Sequence, residues 1–237
     1  AAKGGAATTT ASSTTFYHTV TVSNSLNDQV DNPCHTGIPG DKCFNWDSAG
    51  DDIQINADAS LNSTTNHITL QAWIFPADLT AAPILEYGNA TNSGPHLWHG
   101  LRGDGGSSNS GELFANLVDT FGVNHVVASS AGFVKANQWQ LATLTFNGSV
   151  AKLYHNHVMV ASQTFIGLPP LQTTYKLVVG RRLRNALVFK GAIDEVRVYN
   201  SALSDDDVES DVYSGIFAFK TTTTASVPAQ RQAVTGA

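Results

Sequence analysis

Residues 191–208 read GAIDEVRVYNSALSDDDV and combine two kinds of pattern. The first half, residues 191–199, alternates in the way a half-buried strand does. The second half starts at Ser204 like a helix, with three aspartates in its first turn, where carboxylates interact favourably with the positive end of the helix dipole. The stretch therefore predicts a strand that leads into a short helix, and its acids raise the question of whether the chain is an enzyme.

The same period of two recurs through most of the chain. Segments such as 67–75 and 139–146 are separated by clusters of turn-forming residues. About thirteen short strands with almost no helix predict an antiparallel sandwich or barrel. The one predicted helix covers 204–213, where Val208 and Val212 form a narrow apolar stripe that can pack on the sandwich.

Low-complexity segments flank this body. Residues 1–15 are rich in Ala, Ser and Thr and residues 220–237 are rich in Thr, so neither offers much apolar surface to bury. We expect both to be linkers, stalks or tails around one domain, residues 16–219. Because the chain begins with Ala1 rather than Met, we expect a mature product or a piece of a larger protein.

The overall charge and hydropathy exclude two classes of partner. The chain has 13 basic and 19 acidic residues, a formal net charge of −6, and no basic stripe, which argues against binding nucleic acid. No run of residues approaches the roughly 18 apolar residues that a membrane-spanning helix needs. We therefore expect neither a nucleic-acid partner nor a membrane span.

Cysteines and sequons favour an oxidising, extracellular setting. Cys34 and Cys43 sit in PCHTGIPGDKC, where a disulfide would close a loop that is otherwise poorly ordered; two unrelated buried thiols are the alternative. Asn-x-Ser/Thr sequons begin at Asn62, Asn89 and Asn147, all in polar, turn-like segments. We expect the disulfide, glycosylation at the three asparagines, and a secreted or cell-surface location.

The stretch from 191 to 215, GAIDEVRVYNSALSDDDVESDVYSG, resembles the C-terminal hallmark of laminin G-like/concanavalin A-like domains. That hallmark is a strand of the form G-x-I-D-E-V-R-I-Y, then N-x-x-L-S and a short acidic helix. Residues 44–55, 68–76 and 137–160 resemble further strand motifs of the family in the same order. The resemblance covers roughly residues 44–215.

The resemblance implies an all-β fold, an antiparallel two-sheet jelly-roll sandwich with one short C-terminal helix. Two positions depart from the family pattern. Asp47 stands near where the family often has Asp-Gly, and the usual Val-Asp-Gly hairpin turn is His155-Asn156-His157 here. Asn can also occupy the left-handed conformation that such a turn needs.

Asp194 and Glu195 are the first candidates for catalysis. Successive strand residues point to opposite faces, so we expect these carboxylates to diverge, and a glycosidase pair must flank one bond. Jelly-roll enzymes that cleave β-glucans resemble E-x-D-x-x-E, with three acids on one face, and the sequence contains no such triplet. We expect no catalytic residues and no enzyme activity.

A structural calcium ion is a second possibility for the acids. Jelly-roll modules often hold calcium near their terminal strands, which makes Asp194 a natural ligand, joined by another acid such as Asp28 or Asp47. Calcium takes six to eight oxygen ligands, so backbone carbonyls would have to converge as well. The alternative is that Asp194 caps a loop or pairs with Arg197 or with an arginine of 181–184.

Sugar binding needs exposed aromatic rings beside polar groups. Trp98 and Tyr87 adjoin loops and are the best candidates for ligand binding, although Trp98 could equally pack in the core. We expect a non-catalytic extracellular adhesion or structural module of a larger surface or filament protein, contacting glycans or neighbouring subunits. The alternative is a carbohydrate-binding module appended to a polysaccharide-degrading enzyme.

Overall fold

The computed structural model describes residues 20–22, 27–28, 34–36, 42–47, 49–63, 65–214 and 232–233. Its strands are β1 (Val20–Val22), β2 (Asn27–Asp28), β3 (Phe44–Trp46), β4 (Ile53–Ile55), β5 (His67–Pro76), β6 (Ala82–Gly88), β7 (Ser93–His99), β8 (Leu113–Asn116), β9 (Val126–Ala128), β10 (Gln140–Asn147), β11 (Val150–His155), β12 (Val158–Thr164), β13 (Lys176–Val179), β14 (Arg181–Arg182), β15 (Leu187–Val188), β16 (Gly191–Tyr199) and β17 (Gln232–Ala233). A 3-10 turn covers Ala59–Leu61, and one α-helix, α1, covers Asp205–Ser214.

Two antiparallel sheets form the sandwich, as predicted. One has seven strands in the order β1-β4-β13-β6-β7-β8-β9. The other has the order β12-β11-β10-β5-β16-β3-β2, with β17 paired to β16, and we call it the eight-stranded sheet. Consecutive strands pair along β6 to β9 and β10 to β12, whereas other neighbours, such as β5 and β16, are far apart in sequence. The short hairpin β14–β15 stands outside both sheets.

The core lies between the two sheets and follows the period of two. On β5 and β10 the inward residues are fully buried and pair directly across the strands, as Leu70 does with Leu144. The inward set on these two strands is Ile68, Leu70, Ala72, Ile74, Ala142, Leu144 and Phe146. Trp73 and Leu141, at the intervening positions, belong to a separate cluster on the outer face.

A steric constraint explains why β16 begins with a glycine. Gly191 has φ of 122°, which disfavours any residue with a Cβ, and a Cβ there would overlap the carbonyl oxygen of Phe75 on the adjacent strand. Glycine therefore lets β16 enter the sheet between β5 and β3, where it pairs with both.

Helix α1 follows β16 as the sequence predicts. Ser204 is its N-cap, because the Ser204 Oγ accepts a hydrogen bond from the Asp207 backbone N–H at 3.2 Å, and the Asp207 carboxylate accepts one from the Ser204 N–H at 3.1 Å. Val208 is fully buried. Asp205 accepts hydrogen bonds from the Tyr154 hydroxyl at 2.6 Å and the Lys152 ammonium at 2.8 Å, so the start of α1 contacts the outer face of the eight-stranded sheet.

The hairpin turn that lacks the family's glycine keeps its geometry. Asn156 has φ of 57°, the left-handed conformation expected of it. Its side chain accepts a hydrogen bond from the Leu141 backbone N–H at 2.9 Å, which ties the turn between β11 and β12 to the start of β10. Asn156, which stands where the family has Asp, thus takes the left-handed conformation and adds a contact, while His157 stands at the position of the glycine.

The predicted disulfide joins Cys34 to Cys43, and both residues are buried. It fastens the segment 34–36 to the start of β3. Within the part of the chain that the structure describes, no helix is long and apolar enough to cross a membrane.

Candidate functional site

Outward-facing side chains of β6, β7 and β8 form the floor of a cleft on the outer face of the seven-stranded sheet. Leu85, Leu97 and Ala115 point into the core, so their neighbours point outward. The pairing places the outward residues side by side in two rows, Glu86–His96–Asn116 and Trp98–Phe114. The cleft has a volume of about 340 Å³.

Glu86 organises the polar part of this floor. Its Oε2 accepts hydrogen bonds from the Arg182 Nε at 2.8 Å and the Trp98 Nε1 at 3.2 Å, and its Oε1 accepts one from the Ser93 hydroxyl at 2.9 Å. The side chain is 2% exposed. Burial raises the pKa of the Glu86 carboxyl, and the Arg182 guanidinium opposes that rise. The carboxylate is therefore fully engaged as an acceptor.

Arg182 comes from the small hairpin β14–β15 and crosses the floor. Its guanidinium lies 4.1 Å from the centre of the Trp98 ring, a cation–π contact. Its Nη2 is 3.2 Å from the His96 Nε2. With Nε on Glu86, three contacts fix the guanidinium in place, while Nη1 has no hydrogen bond to another described residue.

His96 acts as a neutral acceptor. Its Nδ1 lies 2.8 Å from the Gly94 carbonyl oxygen, which assigns the ring proton to Nδ1 and leaves Nε2 to accept from Arg182. Burial, together with the charges of Arg182 and Arg184, lowers the pKa of His96 to about 3. The ring therefore stays uncharged throughout the physiological pH range.

The turn 119–124 forms another wall of the cleft. Its anchor is Asp119, which is 1% exposed and whose Oδ2 lies 3.0 Å from the His125 Nε2. Burial alone would raise the pKa of the Asp119 carboxyl, but hydrogen bonds from His125, Val123 and Phe121 outweigh burial and hold the pKa below its usual value. Asn116 donates to the Asn124 side chain at 2.8 Å, which joins the floor to this wall.

The residues that meet in the cleft include Ser93, His96, Phe114, Asn116, Tyr175, Arg182 and Arg184, together with Asp119, Thr120, Gly122 and Asn124 of the turn. The half-buried Tyr175 ring thus adjoins an amide and a guanidinium, and such a mixture can stack on one face of a sugar ring and bond its hydroxyls. The two carboxylates at the cleft, Glu86 and Asp119, are both occupied by hydrogen bonds. Neither is presented as a free general acid or base.

A second polar cluster lies on the outer face of the eight-stranded sheet and corrects the expected divergence of Asp194 and Glu195. The register of β16 against β5 shifts between Asp194 and Arg197, and Glu195 has φ of 44°, so both acids lie in a β-bulge. The His35 Nδ1 is 2.7 Å from Asp194 Oδ2, and its Nε2 is 3.9 Å from Glu195 Oε1. The two carboxylates converge because the bulge cancels the strand alternation.

This second cluster is closed to a ligand. The His35 side chain is 0% exposed and stacks on Trp73 with ring centres 4.8 Å apart. Asp194 Oδ1 also accepts a hydrogen bond from the Glu195 backbone N–H at 2.8 Å, and Glu195 forms an ion pair with Arg197. Asp194 therefore has His35 as its side-chain partner, while Arg197 pairs with Glu195. The cluster fastens the disulfide segment to the sheet.

The strand register separates the predicted calcium ligands. Phe44 pairs with Ile193 and Trp46 with Gly191, so Asp47 and Asp194 lie beyond opposite ends of that ladder, about 13 Å apart at 3.3 Å per residue. One ion cannot contact both. The backbone of Asp28 pairs with Phe44, and its side chain lies outside the described part.

The groups around Asp194 do not supply a calcium donor set. Among the described residues, Asp194 groups with Cys34 and Cys43, whose sulfurs form the disulfide, whereas calcium takes oxygen ligands. Its other neighbours are the His35 ring and the Glu195 carboxylate, which is already paired with Arg197. Both Asp194 oxygens also carry hydrogen bonds. The structural calcium ion itself stays a prediction.

Neither predicted sugar-contacting aromatic lies at the surface. Tyr87 is fully buried, and its hydroxyl donates to the Leu61 carbonyl oxygen at 2.8 Å, so it faces the core. Trp98 is 1% exposed because Arg182 covers it, so it supports the cleft from beneath. The prediction that both rings contact a ligand is wrong for this reason.

The three sequon asparagines lie in or near turns. Asn147 is exposed, while Asn89 and Asn62 are half-buried. The side-chain oxygens of Asn89 and Asn147 accept backbone hydrogen bonds within their own turns, whereas the Asn62 Oδ1 is buried without a partner. Their glycosylation stays a prediction.

A family model for the concanavalin A-like lectin/glucanases superfamily matches residues 47–209, which is more than half of the chain. The chain therefore belongs to this superfamily, as its last strand and helix indicated. Among curated proteins, none matches the sequence.

Solved structures with a similar fold include three toxin binding domains. The binding domain of Paraclostridial Mosquitocidal Protein 1 has a TM-score of 0.65 at 16% identity, and that of botulinum neurotoxin serotype G has 0.63 at 12%. The ligand-binding domain of serotype D, solved with N-acetylneuraminic acid, has 0.61 at 18%. Each match covers 83% of this chain but only 46–47% of the toxin domain, so the likeness establishes the sandwich fold.

Proposed function

We propose that the protein is a non-catalytic carbohydrate-binding module and that its sugar ligand occupies the cleft on the seven-stranded sheet. The observation that carries the proposal is the meeting of the half-buried Tyr175 ring with Asn116 and Arg182, above the buried Phe114, in one cleft of about 340 Å³. A volume of this size suits a small saccharide. The engagement of Glu86 and Asp119 as acceptors supports binding without catalysis.

Preorganisation supports the same proposal. Glu86, His96 and Trp98 hold the Arg182 guanidinium before any ligand arrives. A polar group that is already fixed loses little conformational entropy on binding, and such savings raise affinity. A sugar could therefore stack on a ring while its hydroxyls accept hydrogen bonds from Nη1 of Arg182.

We also propose an extracellular setting, within a larger surface or adhesion protein. The disulfide between Cys34 and Cys43 supports this setting, because disulfides persist in oxidising compartments. A carbohydrate-binding module that is attached to a polysaccharide-degrading enzyme would use the same cleft to bind the polysaccharide. The identity of the sugar that binds best distinguishes the two: a plant or microbial polysaccharide favours the enzyme-linked module.

A glycan array followed by calorimetry tests the proposal. Tyr175 lines the cleft and is only partly buried, so Tyr175→Ala should fold normally and weaken sugar binding about tenfold through lost stacking. The matched control is Phe133→Ala, which removes a half-buried ring that contacts His155. The control should bind with unchanged affinity.

The same titration has an expected pH profile. Since the pKa of His96 is about 3, the ring stays neutral and the affinity should be constant between about pH 5 and pH 8. An array with no bound glycan, or a Tyr175→Ala variant as tight as wild type, would overturn the proposal.

A further inference from the structure

Two turns of the protein expose large apolar side chains to water. Phe121 is 80% exposed and Ile166 is 96% exposed, the two highest values among large apolar residues in the described part of the chain. Val123, beside Phe121, is 51% exposed. Single exposed apolar residues are ordinary on a protein surface. Two large apolar side chains that are this exposed and lie at one location indicate a binding surface.

The two turns do share one location. Asp119 and Leu171 form an antiparallel bridge, and the Thr120 N–H donates to the Pro170 carbonyl oxygen at 2.9 Å. In an antiparallel pair, the chain that continues past Asp119 and the chain that precedes Leu171 lie at the same end. Phe121 and Ile166 therefore project from the same end of the molecule.

Hydrogen bonds hold the first turn rigid. The Asp119 Oδ1 accepts from the backbone N–H groups of Phe121 at 2.9 Å and Val123 at 3.0 Å. The Gly122 N–H donates to the Asp119 carbonyl oxygen at 2.9 Å, which closes the turn. The second turn packs back on the first through Phe165, whose ring centre lies 5.6 Å from that of His125. The apolar tips are thus preorganised rather than loosely placed.

The two turns that carry the tips contain little charge. Segments 117–126 and 163–172 contain no Lys or Arg, and their one acid, Asp119, is 1% exposed. A bilayer of uncharged lipid headgroups accepts such a surface without a cost for desolvating charge. Arg182 and Arg184 line the neighbouring cleft. The absence of basic residues from the two turns themselves argues against a polyanionic partner or an anionic membrane.

The shape of the tips favours a membrane over a protein. A stable protein interface buries about 800 Å² on each partner around a flat, packed centre, which two protruding side chains do not supply. A lipid interface needs no complementary pocket, because acyl chains rearrange around each inserted side chain. We propose that Phe121 and Ile166 insert together into the interfacial region of a zwitterionic membrane. This proposal does not depend on sugar binding in the cleft.

Flotation of the full chain with phosphatidylcholine vesicles tests the proposal, and the vesicles contain no sugar ligand. Phe121→Ser and Ile166→Ser should each weaken partitioning about tenfold, and the double variant should abolish it, since each removes most of a buried apolar side chain. Val158 and Met159 are 53% and 48% exposed on β12, so Val158→Ser/Met159→Ser is a matched apolar-to-polar control that should bind like wild type. Binding should not depend on salt.

Three results would overturn the proposal. Wild type that does not float with the vesicles contradicts it, and so does an equal loss in the double variant and the β12 control. A wild-type dimer in sedimentation that only the double variant dissociates would assign the tips to a second copy of the chain. Unchanged melting temperatures of the variants confirm that any loss arises at the surface.

Discussion

The outer faces of the two sheets differ in what they leave open. On the seven-stranded face the ion pair Glu86–Arg182 is buried, yet a cleft remains above it. On the eight-stranded face, α1 and the disulfide segment pack on the sheet. In the ion pair Glu195–Arg197 on this face, the Glu195 side chain is 33% exposed. The eight-stranded face is closed around β16, although a cavity of about 490 Å³ remains beside α1, whereas the seven-stranded face holds fixed polar groups beneath an accessible cleft.

This contrast predicts unequal energetic roles for chemically similar pairs. A buried ion pair that loses one partner leaves an uncompensated charge, which costs about 3–5 kcal/mol. A pair that water reaches contributes about 0–1 kcal/mol. The position of the pair, rather than its chemistry, should therefore decide the outcome of each substitution.

The largest expected effect is from Glu86→Gln, compared with Glu195→Gln. Removing the Glu86 charge strands the Arg182 guanidinium and should lower the free energy of unfolding by about 3–5 kcal/mol. Glu195→Gln should cost less than about 1 kcal/mol. Urea denaturation of both variants measures the difference. Equal losses would mean that the two faces are not energetically distinct.

The second-largest effect on stability is expected from removing the disulfide. Replacing both Cys34 and Cys43 by Ser should lower the free energy of unfolding by about 2–3 kcal/mol, because the unfolded chain gains conformational freedom. Amide exchange should rise at β3 and the segment 34–36 while β6 to β8 remain protected. Below the melting temperature, sugar binding should persist. Loss of binding in the folded variant would show that the closed face also shapes the cleft.

The smallest effect concerns the docking of α1. Lys152 and Asp205 form an exposed pair at 2.8 Å, so Lys152→Met should cost about 0.2–1 kcal/mol, with the cost vanishing at high salt. Lys190→Met, which breaks a comparably exposed pair with Asp78, is the matched control. A much larger loss for Lys152→Met alone would show that charge, rather than burial of Val208, holds the helix.

Local patterns predicted the fold well because they depend on neighbouring residues. Alternation gave the strands, the serine before three aspartates gave the helix start, and the loop length gave the disulfide. The left-handed turn at Asn156 also follows from its residue type. These features need no knowledge of which strands meet in space.

The site could be predicted only in part, because long-range pairing builds it. Arg182 reaches Glu86 from a hairpin almost a hundred residues later, and no local pattern indicates that crossing. The β-bulge at Glu195 reverses the alternation that separated it from Asp194. Tyr87 adjoins a loop, yet the strand register turns its ring into the core.

The proposed sugar contact and the proposed membrane contact both involve the turn 119–124. Asp119, Thr120, Gly122 and Asn124 line the cleft, and Phe121 projects from the same rigid turn. For a sugar displayed on a bilayer, engagement of one contact would place the other at an effective concentration of about millimolar. The overall affinity would then far exceed that of either weak contact alone. The module would stay on a surface only where sugar and lipid are present together.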